Sequence, residues 1–358
     1  MSYNFSMRVY IHIPFCASKC PYCAFGSFSD FSLVRQYFDA LNKDLNHQLK
    51  EFLGTKKQIK SIFFGGGTPS VVGVKFYEKI MDLLLLHCAK NAEITFEANP
   101  NSAKLEWLKS IKNLGANRIS FGTQSFDEKK LEFLGRTHSS ADTFMAANNA
   151  LRAGFERINV DFIYGTKLDS KKLLSSELEG IKKLKNLGVK HISAYALSLE
   201  QNTPFYAHKN YAKEAPILAN FVIKGLKSLG FLQYEISNFS QKGYECEHNL
   251  GYWMGDEYIG VGAFSVGCVG KTRLYAHSLI ENYINEPLFR KSEYLSDDEW
   301  SDERLLLGLR SKLGVDEKYI KNKEILEFLE KDKKILRENG RVFNKNFLLA
   351  DELACVLC

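Results

Sequence analysis

Proline is scarce, with 7 in 358 residues, so no Pro-rich linker divides the chain. Long apolar runs are missing too. The leucines from Leu83 to Leu86 stop at His87, and no segment approaches the roughly 20 residues needed to span a bilayer. Polar, Pro and Cys residues come too early for a secretory leader. No internal repeat or low-complexity tract is visible. A large excess of one charge is also lacking: 48 Lys+Arg stand against 42 Asp+Glu, a net of +6. That balance favours an anionic ligand and falls short of what duplex nucleic acid demands. What is present is 45% hydrophobic and 25% charged residues, the balance of a globular chain, which excludes wholesale disorder. The length suits one large α/β unit with a smaller appendage, or two domains. A cytoplasmic protein is expected.

Eight cysteines stand at 16, 20, 23, 88, 246, 268, 355 and 358. A disulfide framework belongs to small secreted domains, and this chain reads as neither small nor secreted. Cys88 and Cys268 lie among apolar neighbours and read as small buried hydrophobes. The crowding of Cys16, Cys20 and Cys23 points instead to a metal or cluster site.

Strand and helix alternate through the first two-thirds. Segments 8–13, 59–64, 93–98, 118–122, 157–164 and 191–199 read as strands. Segments 31–52, 74–87, 104–114, 141–152, 171–187 and 215–229 read as helices. In the first of these helices Val34, Phe38, Leu41, Leu45 and Leu49 share one face, and Gly115, Gly154, Gly188 and Gly230 close four others. Six strand–helix units imply a parallel sheet with helical crossovers, either doubly wound or a barrel. Six is short of eight, so a partial, open barrel is in view. Beyond residue 230, segment 231–239 reads as a strand and 245–267 as loops and short strands. Segments 304–313 and 323–338 read as helices, the latter with Ile325, Leu329 and Leu336 near one face, and 341–343 as a strand. The expected layout is a barrel over 1–230, a β/loop extension over 231–295 and a winged-helix-like α+β unit over 296–358. That last unit carries 12 basic and 14 acidic residues, net −2, which leaves +8 on residues 1–295. A duplex-binding winged helix concentrates positive charge, so no nucleic acid is expected.

Cys16, Cys20 and Cys23 are spaced C-x3-C-x2-C. Three thiolates on a tight loop can ligate three irons of a [4Fe–4S] cube and leave the fourth open to a small molecule. A structural zinc needs a fourth ligand, and His12 would have to reverse its direction from the first strand to supply it. The string from Tyr10 through Cys16, Cys20, Tyr22 and Cys23 to Phe25 resembles the radical S-adenosylmethionine (SAM) superfamily. Within it the string resembles the group of the anaerobic coproporphyrinogen III oxidase HemN and the heme chaperone HemW. The resemblance implies a partial (β/α)6 barrel of TIM type with the cluster at its mouth.

Phe64-Gly65-Gly66-Gly67-Thr68-Pro69 closes the second strand. It is a plain tight turn or a place where backbone N–H groups approach a ligand, and it is not a phosphate-binding Walker loop. The resemblance implies Gly66, Gly67 and Thr68 as contacts of the amino-acid end of SAM. Glu97, Gln124, Arg136 and Asp161 lie at or shortly after strand ends. An Asp161–Arg136 ion pair at the barrel rim is one reading; ligand contact at the C-terminal face is the other. The family's SAM contacts match Tyr10, Glu97, Gln124, Arg136 and Asp161 in type and order, and Tyr22 is similar to the aromatic beside the adenine. His248-Asn249-Leu250-Gly251-Tyr252-Trp253 contains a His that is either a surface loop residue or, between aromatic walls, a heme ligand. The string resembles an H-N-x-x-Y-W motif associated with heme binding.

Two functions remain: a heme chaperone delivering heme to apo-proteins, and an oxygen-independent coproporphyrinogen III oxidase that decarboxylates oxidatively through a SAM-derived radical. The oxidase pattern has a further Cys where Phe25 stands here, and a long N-terminal extension where nine residues precede Tyr10. With the H-N-x-x-Y-W string, these departures favour the chaperone. A winged-helix redox regulator is disfavoured by the acidic C-terminal segment. Clients would include heme-accepting apo-proteins, through which peripheral membrane association is compatible; the oligomeric state stays open between monomer and homodimer.

Overall fold

The computed structural model describes residues 6–54, 58–213 and 216–358. Six strands run parallel in chain order: β1 (Ser6–Ile13), β2 (Gln58–Gly66), β3 (Cys88–Ala98), β4 (Arg118–Gln124), β5 (Arg157–Tyr164) and β6 (His191–Ala196). The crossovers carry α1 (Val34–Phe52), α2 (Lys75–Leu85), α3 (Leu105–Asn113), α4 (Glu128–Phe133), α5 (Ser140–Arg152) and α6 (Lys171–Leu187), and α7 (Pro216–Ser228) follows β6. The α/β class and the six parallel units are as the sequence implied. Ala215, the expected start of the last helix, lies outside the described residues. The short helix α4 was not anticipated; the Asp127 carboxylate caps it.

Side chains alternate across each strand. On β1, Met7, Val9, Ile11 and Ile13 are fully buried in the large apolar core, while Arg8, Tyr10 and His12 take the other face. The same parity puts Ile62 and Phe64, Ile94 and Phe96, Ile119 and Phe121, and Val160 and Phe162 on the helix-facing side. It puts Ser61, Glu93, Thr95, Glu97, Ser120, Asn159, Asp161 and Ser193 on the opposite face, the concave one of a partial barrel. Phe64 and Phe96 stack at 4.0 Å behind the sheet. Truncating either would cost about 3–5 kcal/mol.

The extension comprises β7 (Leu232–Gln233), β8 (Asn238–Ser240), α8 (Glu247–Met254), β9 (Tyr258–Val261), β10 (Val266–Val269), β11 (Thr272–Tyr275), α9 (Ile280–Asn285) and β12 (Lys291–Tyr294). It widens the same sheet at both edges. β9 pairs with β1 and leads out to β12, while β8 and β7 continue from β6, giving twelve strands in linear order. Two expectations need correction. Segment 231–239 is a hairpin of two short antiparallel strands, because the chain reverses between Tyr234 and Asn238. And the His248 string is helical, not a loop.

The C-terminal part holds α10 (Asp297–Leu309), β13 (Val315–Asp316), α11 (Lys323–Lys331), β14 (Ile335–Glu338), β15 (Arg341–Asn344) and α12 (Ala350–Leu357). Its three strands form a separate antiparallel sheet around a second core that includes Leu305, Leu309, Leu326, Leu329, Ile335, Val342 and Leu357. α10 begins earlier than expected because Ser296 and Glu299 form a capping box. The expected helix 323–338 breaks at Lys333, whose φ is +59°, and Leu336 goes to a strand instead of the helix face. Cys268 is buried as expected, whereas Cys88 is half-buried. No helix among the described residues is long and apolar enough to cross a membrane.

Candidate cofactor site

The cysteine loop leaves the end of β1. Its base is pinned by a bridge between Phe15 and Phe28: the Cys16 amide donates to Phe28 O at 2.9 Å and the Phe28 amide to Pro14 O at 2.6 Å. A tight turn follows, with the Cys23 amide on Cys20 O. His12 ties the far end down. Its Nε2 meets the Gly26 carbonyl at 2.8 Å, which only accepts, so Nε2 carries the proton and Nδ1 accepts from Tyr10 at 3.0 Å. Burial lowers the His12 pKa to about 4 and keeps the ring neutral. His12 is therefore a clamp on the loop and not a fourth ligand.

The three cysteines are free and half-buried. Among the described residues no three His, Cys, Asp or Glu side chains converge on one ion. A cube spreads its thiolates over three separate irons, so thiols that do not converge on one point are compatible with it. Burial pushes the Cys16 and Cys23 thiols up, so loading a metal would release protons.

A ring of polar groups joins two of these cysteines. Cys16 Sγ lies 3.4 Å from Thr68 Oγ1, which accepts from Asn99 Nδ2 at 3.3 Å. Asn99 Oδ1 accepts from Arg136 Nη2 at 2.5 Å, and Arg136 Nη1 donates to Cys20 Sγ at 3.4 Å. Arg136 also donates to Gly122 O, yet its Nε is buried without a partner. An unmet donor of this kind costs about 1–3 kcal/mol and points to an absent acceptor. Gln124 stands beside them: a Cβ on Gly122 would lie 3.2 Å from its amide nitrogen and 3.3 Å from Arg136. Its φ of +66° is unusual for a non-glycine residue and sits at a bulge in the β4–β5 register.

The acids face the same space. Burial and the neighbouring Asp161 charge push the Glu97 carboxyl up to about 8, against the pull of the Gly66 amide and Arg118. Burial also raises Asp161, which accepts from Asn159 at 2.7 Å. No Asp161–Arg136 ion pair forms; Arg136 donates to Asn99, Gly122 O and Cys20 and also interacts with the Tyr22 hydroxyl. The glycine turn differs from its sequence reading in its physics. The amides of Gly67 and Thr68 donate to Ile13 O and Phe15 O, and that of Gly66 donates to Glu97. Gly66, at φ +105°, makes room for the His12 ring, and a Cβ on Gly67 would strike the carbonyls of Ile13 and Phe15. These glycines are spaces for the cysteine loop to pack on, not a cradle of free amides. Tyr22 is seated in an apolar cluster with Leu134, Ile163, Leu197 and Phe205. An orphan guanidinium donor and two buried acids that form no ion pair among the described residues suit a ligand that bears both a carboxylate and cations, as SAM does.

A cavity of about 790 Å³ opens beside this site. Ala24, Phe25 and Gly26 of the cysteine loop line it, as do Tyr10, Glu97, His248, Tyr252 and Phe264. His248 lies in the first turn of α8 and is 1% exposed. Its Nδ1 meets Ser61 Oγ at 2.9 Å and its Nε2 meets Tyr252 OH at 3.0 Å. Burial holds its pKa well below the usual value, so the ring is neutral, the form that binds metals. It is not a surface histidine, and it can ligate only after Tyr252 leaves Nε2. Asn99, Ser61 and Arg8 escaped the sequence reading, which weighs His12 only as a metal ligand and not as a clamp; the period-two parity of their strands was the available signal for Ser61 and Arg8.

The radical SAM superfamily model matches residues 10–173. Heme chaperone HemW of Bacillus subtilis strain 168 is 33% identical over 325 residues, covering 86% of this chain and 84% of its own. Heme chaperone HemW of Escherichia coli K12 is 36% identical over 270 residues, covering 74% and 70%. The solved coproporphyrinogen III oxidase HemN of E. coli superposes with a TM-score of 0.81 over 99% of this chain and 91% of that one. At 20% identity it speaks for the fold alone. With relatives this similar over this much of its length, the chain belongs to the HemW family within the radical SAM superfamily.

Proposed function

We propose that this protein is a heme chaperone that binds heme and delivers it to apo-proteins, and that it carries a [4Fe–4S] cluster and a SAM site. The observation that carries the reading is the shared cavity: one space is lined both by the residues after Cys23 and by the helix of His248. Cys16, Cys20 and Cys23 would hold the cluster, which would supply an open coordination position for a small ligand. Around it Thr68 and Asn99 fix the loop, and Arg136 receives the SAM carboxylate. Glu97 and Asp161 receive its cationic groups, Gln124 closes the rim, and Gly66 and Gly67 let the turn pack close. Tyr10 holds His12 in its tautomer, and Tyr22 stands where the adenine would rest. His248 is the heme ligand, with Tyr252 its partner while heme is away.

The barrel spans residues 1–230, the heme-binding extension 231–295 and the winged-helix-like unit 296–358. The location is cytoplasmic, and contact with membranes comes through clients. Anaerobic iron and sulfide analysis tests the cluster: Cys20→Ala should lose most of both, and retention of full content, or zinc in their place, would refute the assignment. Titration with hemin followed by transfer to apomyoglobin tests the carrier. Turnover of coproporphyrinogen to decarboxylated product would instead make it an oxidase.

A further inference from the structure

The cavity has a second wall, made by α10 and β11, that the chaperone reading leaves without a role. It presents Arg304 and Arg273. The Arg304 guanidinium lies 3.7 Å from the centroid of Trp300. Its ion pair with Glu303 is long, 3.8 Å, because Glu303 is drawn against Arg273. Arg304 Nε is buried without a hydrogen-bond partner. Its seat depends on Gly255, the C-cap of α8 at φ +76°, where a Cβ would fall on Arg304 Nη1. Arg273 is already engaged by Glu303 and, at 3.7 Å, by Glu293. A space walled by Tyr10, Phe63, Tyr258 and Phe264 thus holds one well-neutralised guanidinium and one that is under-coordinated. Burial lowers the Arg304 pKa, as expected for a charge lacking a full counterion.

A planar guanidinium in a desolvated wall matches a carboxylate through two parallel N–H···O bonds. We propose that Arg304, supported by Arg273, receives a carboxylate of the porphyrin that fills this cavity and thereby selects anionic over neutral porphyrins. The proposal rests on the chaperone reading and deepens it. His248 would hold the iron, and Arg304 would read the edge of the disc. SAM also bears a carboxylate, so a test must separate the two sources.

Hemin and hemin dimethyl ester share disc and iron and differ in propionate charge. Wild type should bind hemin at least about tenfold more tightly than the ester, the scale of a charge-assisted hydrogen bond. The preference should shrink as salt rises. In Arg304→Met the ratio should fall to within about twofold, and Arg304→Lys, which keeps charge without the fork, should recover part of it. Iron content of each variant reports folding, and the wild-type ratio needs no variant. Equal wild-type affinities, or an undiminished ratio in Arg304→Met, would overturn the proposal. So would a loss of SAM affinity with the porphyrin ratio intact, which would give Arg304 to SAM. A wild type that binds neither porphyrin would overturn the chaperone reading, and this subsite with it.

Discussion

Arg136 Nη1 donates to Cys20 Sγ at 3.4 Å, so one arginine touches both the cysteine loop and the polar groups proposed to receive SAM. Its other nitrogen is braced by Asn99 and Gly122 O, which leaves Nε free for a ligand. Arg136→Met should therefore weaken SAM binding by about 10- to 150-fold, the range of a buried charged hydrogen bond. Iron content should change little, because the three thiolates remain. Calorimetry on reconstituted protein decides this; unchanged SAM affinity would remove Arg136 from the site.

Glu97 carries a pH signature. Its folded pKa, about 8, lies above the ordinary value of 4.5. Its stabilising contribution is complete below the ordinary value and is lost as pH rises through the folded one. Cofactor-free wild type should lose stability relative to Glu97→Gln between about pH 5 and 8, read from melting curves of both. A cation placed against Glu97 and Asp161 should drive the proton off. SAM binding at pH 7 should then release up to one proton, visible as a dependence of the binding enthalpy on buffer ionisation and absent in Glu97→Gln. Proton uptake would contradict the placement.

Behind the rim, Lys130 Nζ lies 2.8 Å from Asp169 and 3.4 Å from Glu177, and none of the three side chains is exposed beyond 1%. Asp169 also accepts from Thr166, and Glu177 from Ser125 and the Phe126 amide. The lysine thus ties α4, which leads into Arg136, to the start and middle of α6. Lys130→Met would strand two buried carboxylates and should cost about 3–5 kcal/mol of stability. Urea denaturation measures it. A loss under about 1 kcal/mol would mean that the carboxylates simply take up protons.

These sites differ in how readable they were. β5 and α6 carried their own boundaries, in a β-branched run ended by Gly165 and a periodic helix ended by Gly188. The helix of His248 did not. Its residues include Asn249 and Gly251, and Cys246 at its N-cap makes no side-chain cap. The terminus is satisfied from far away, by Glu93 on β3, which accepts from the His248 amide at 3.1 Å, and Arg8 on β1 braces the first turn by donating to Glu247 O at 2.6 Å. Gly251 is needed because Arg8 passes against it. A cap supplied by another strand leaves no local pattern to read. Asn99 has a similar history: locally it ends β3, and only the fold brings it between Thr68 and Arg136.

The pairing of His248 with Tyr252 gives the sharpest test of heme ligation. Nδ1 is held by Ser61, so the nitrogen available to iron is Nε2, and Tyr252 OH occupies it at 3.0 Å. Ligation must break this bond, whose net worth is about 0.5–1.5 kcal/mol. Removing the hydroxyl removes that competition. Tyr252→Phe keeps the aromatic wall and should bind hemin about 2- to 12-fold more tightly, with the wild-type absorption spectrum. His248→Ala should do the opposite: a shifted spectrum and faster transfer to apomyoglobin, with iron and SAM binding retained. The disc itself supplies most of the affinity through apolar burial, so the alanine variant should still bind. The two variants move in opposite directions only if His248 is the ligand. A Tyr252→Phe protein with weaker heme binding, or a His248→Ala protein with an unshifted spectrum, would hand the iron to another residue, Tyr252 first among the cavity's side chains.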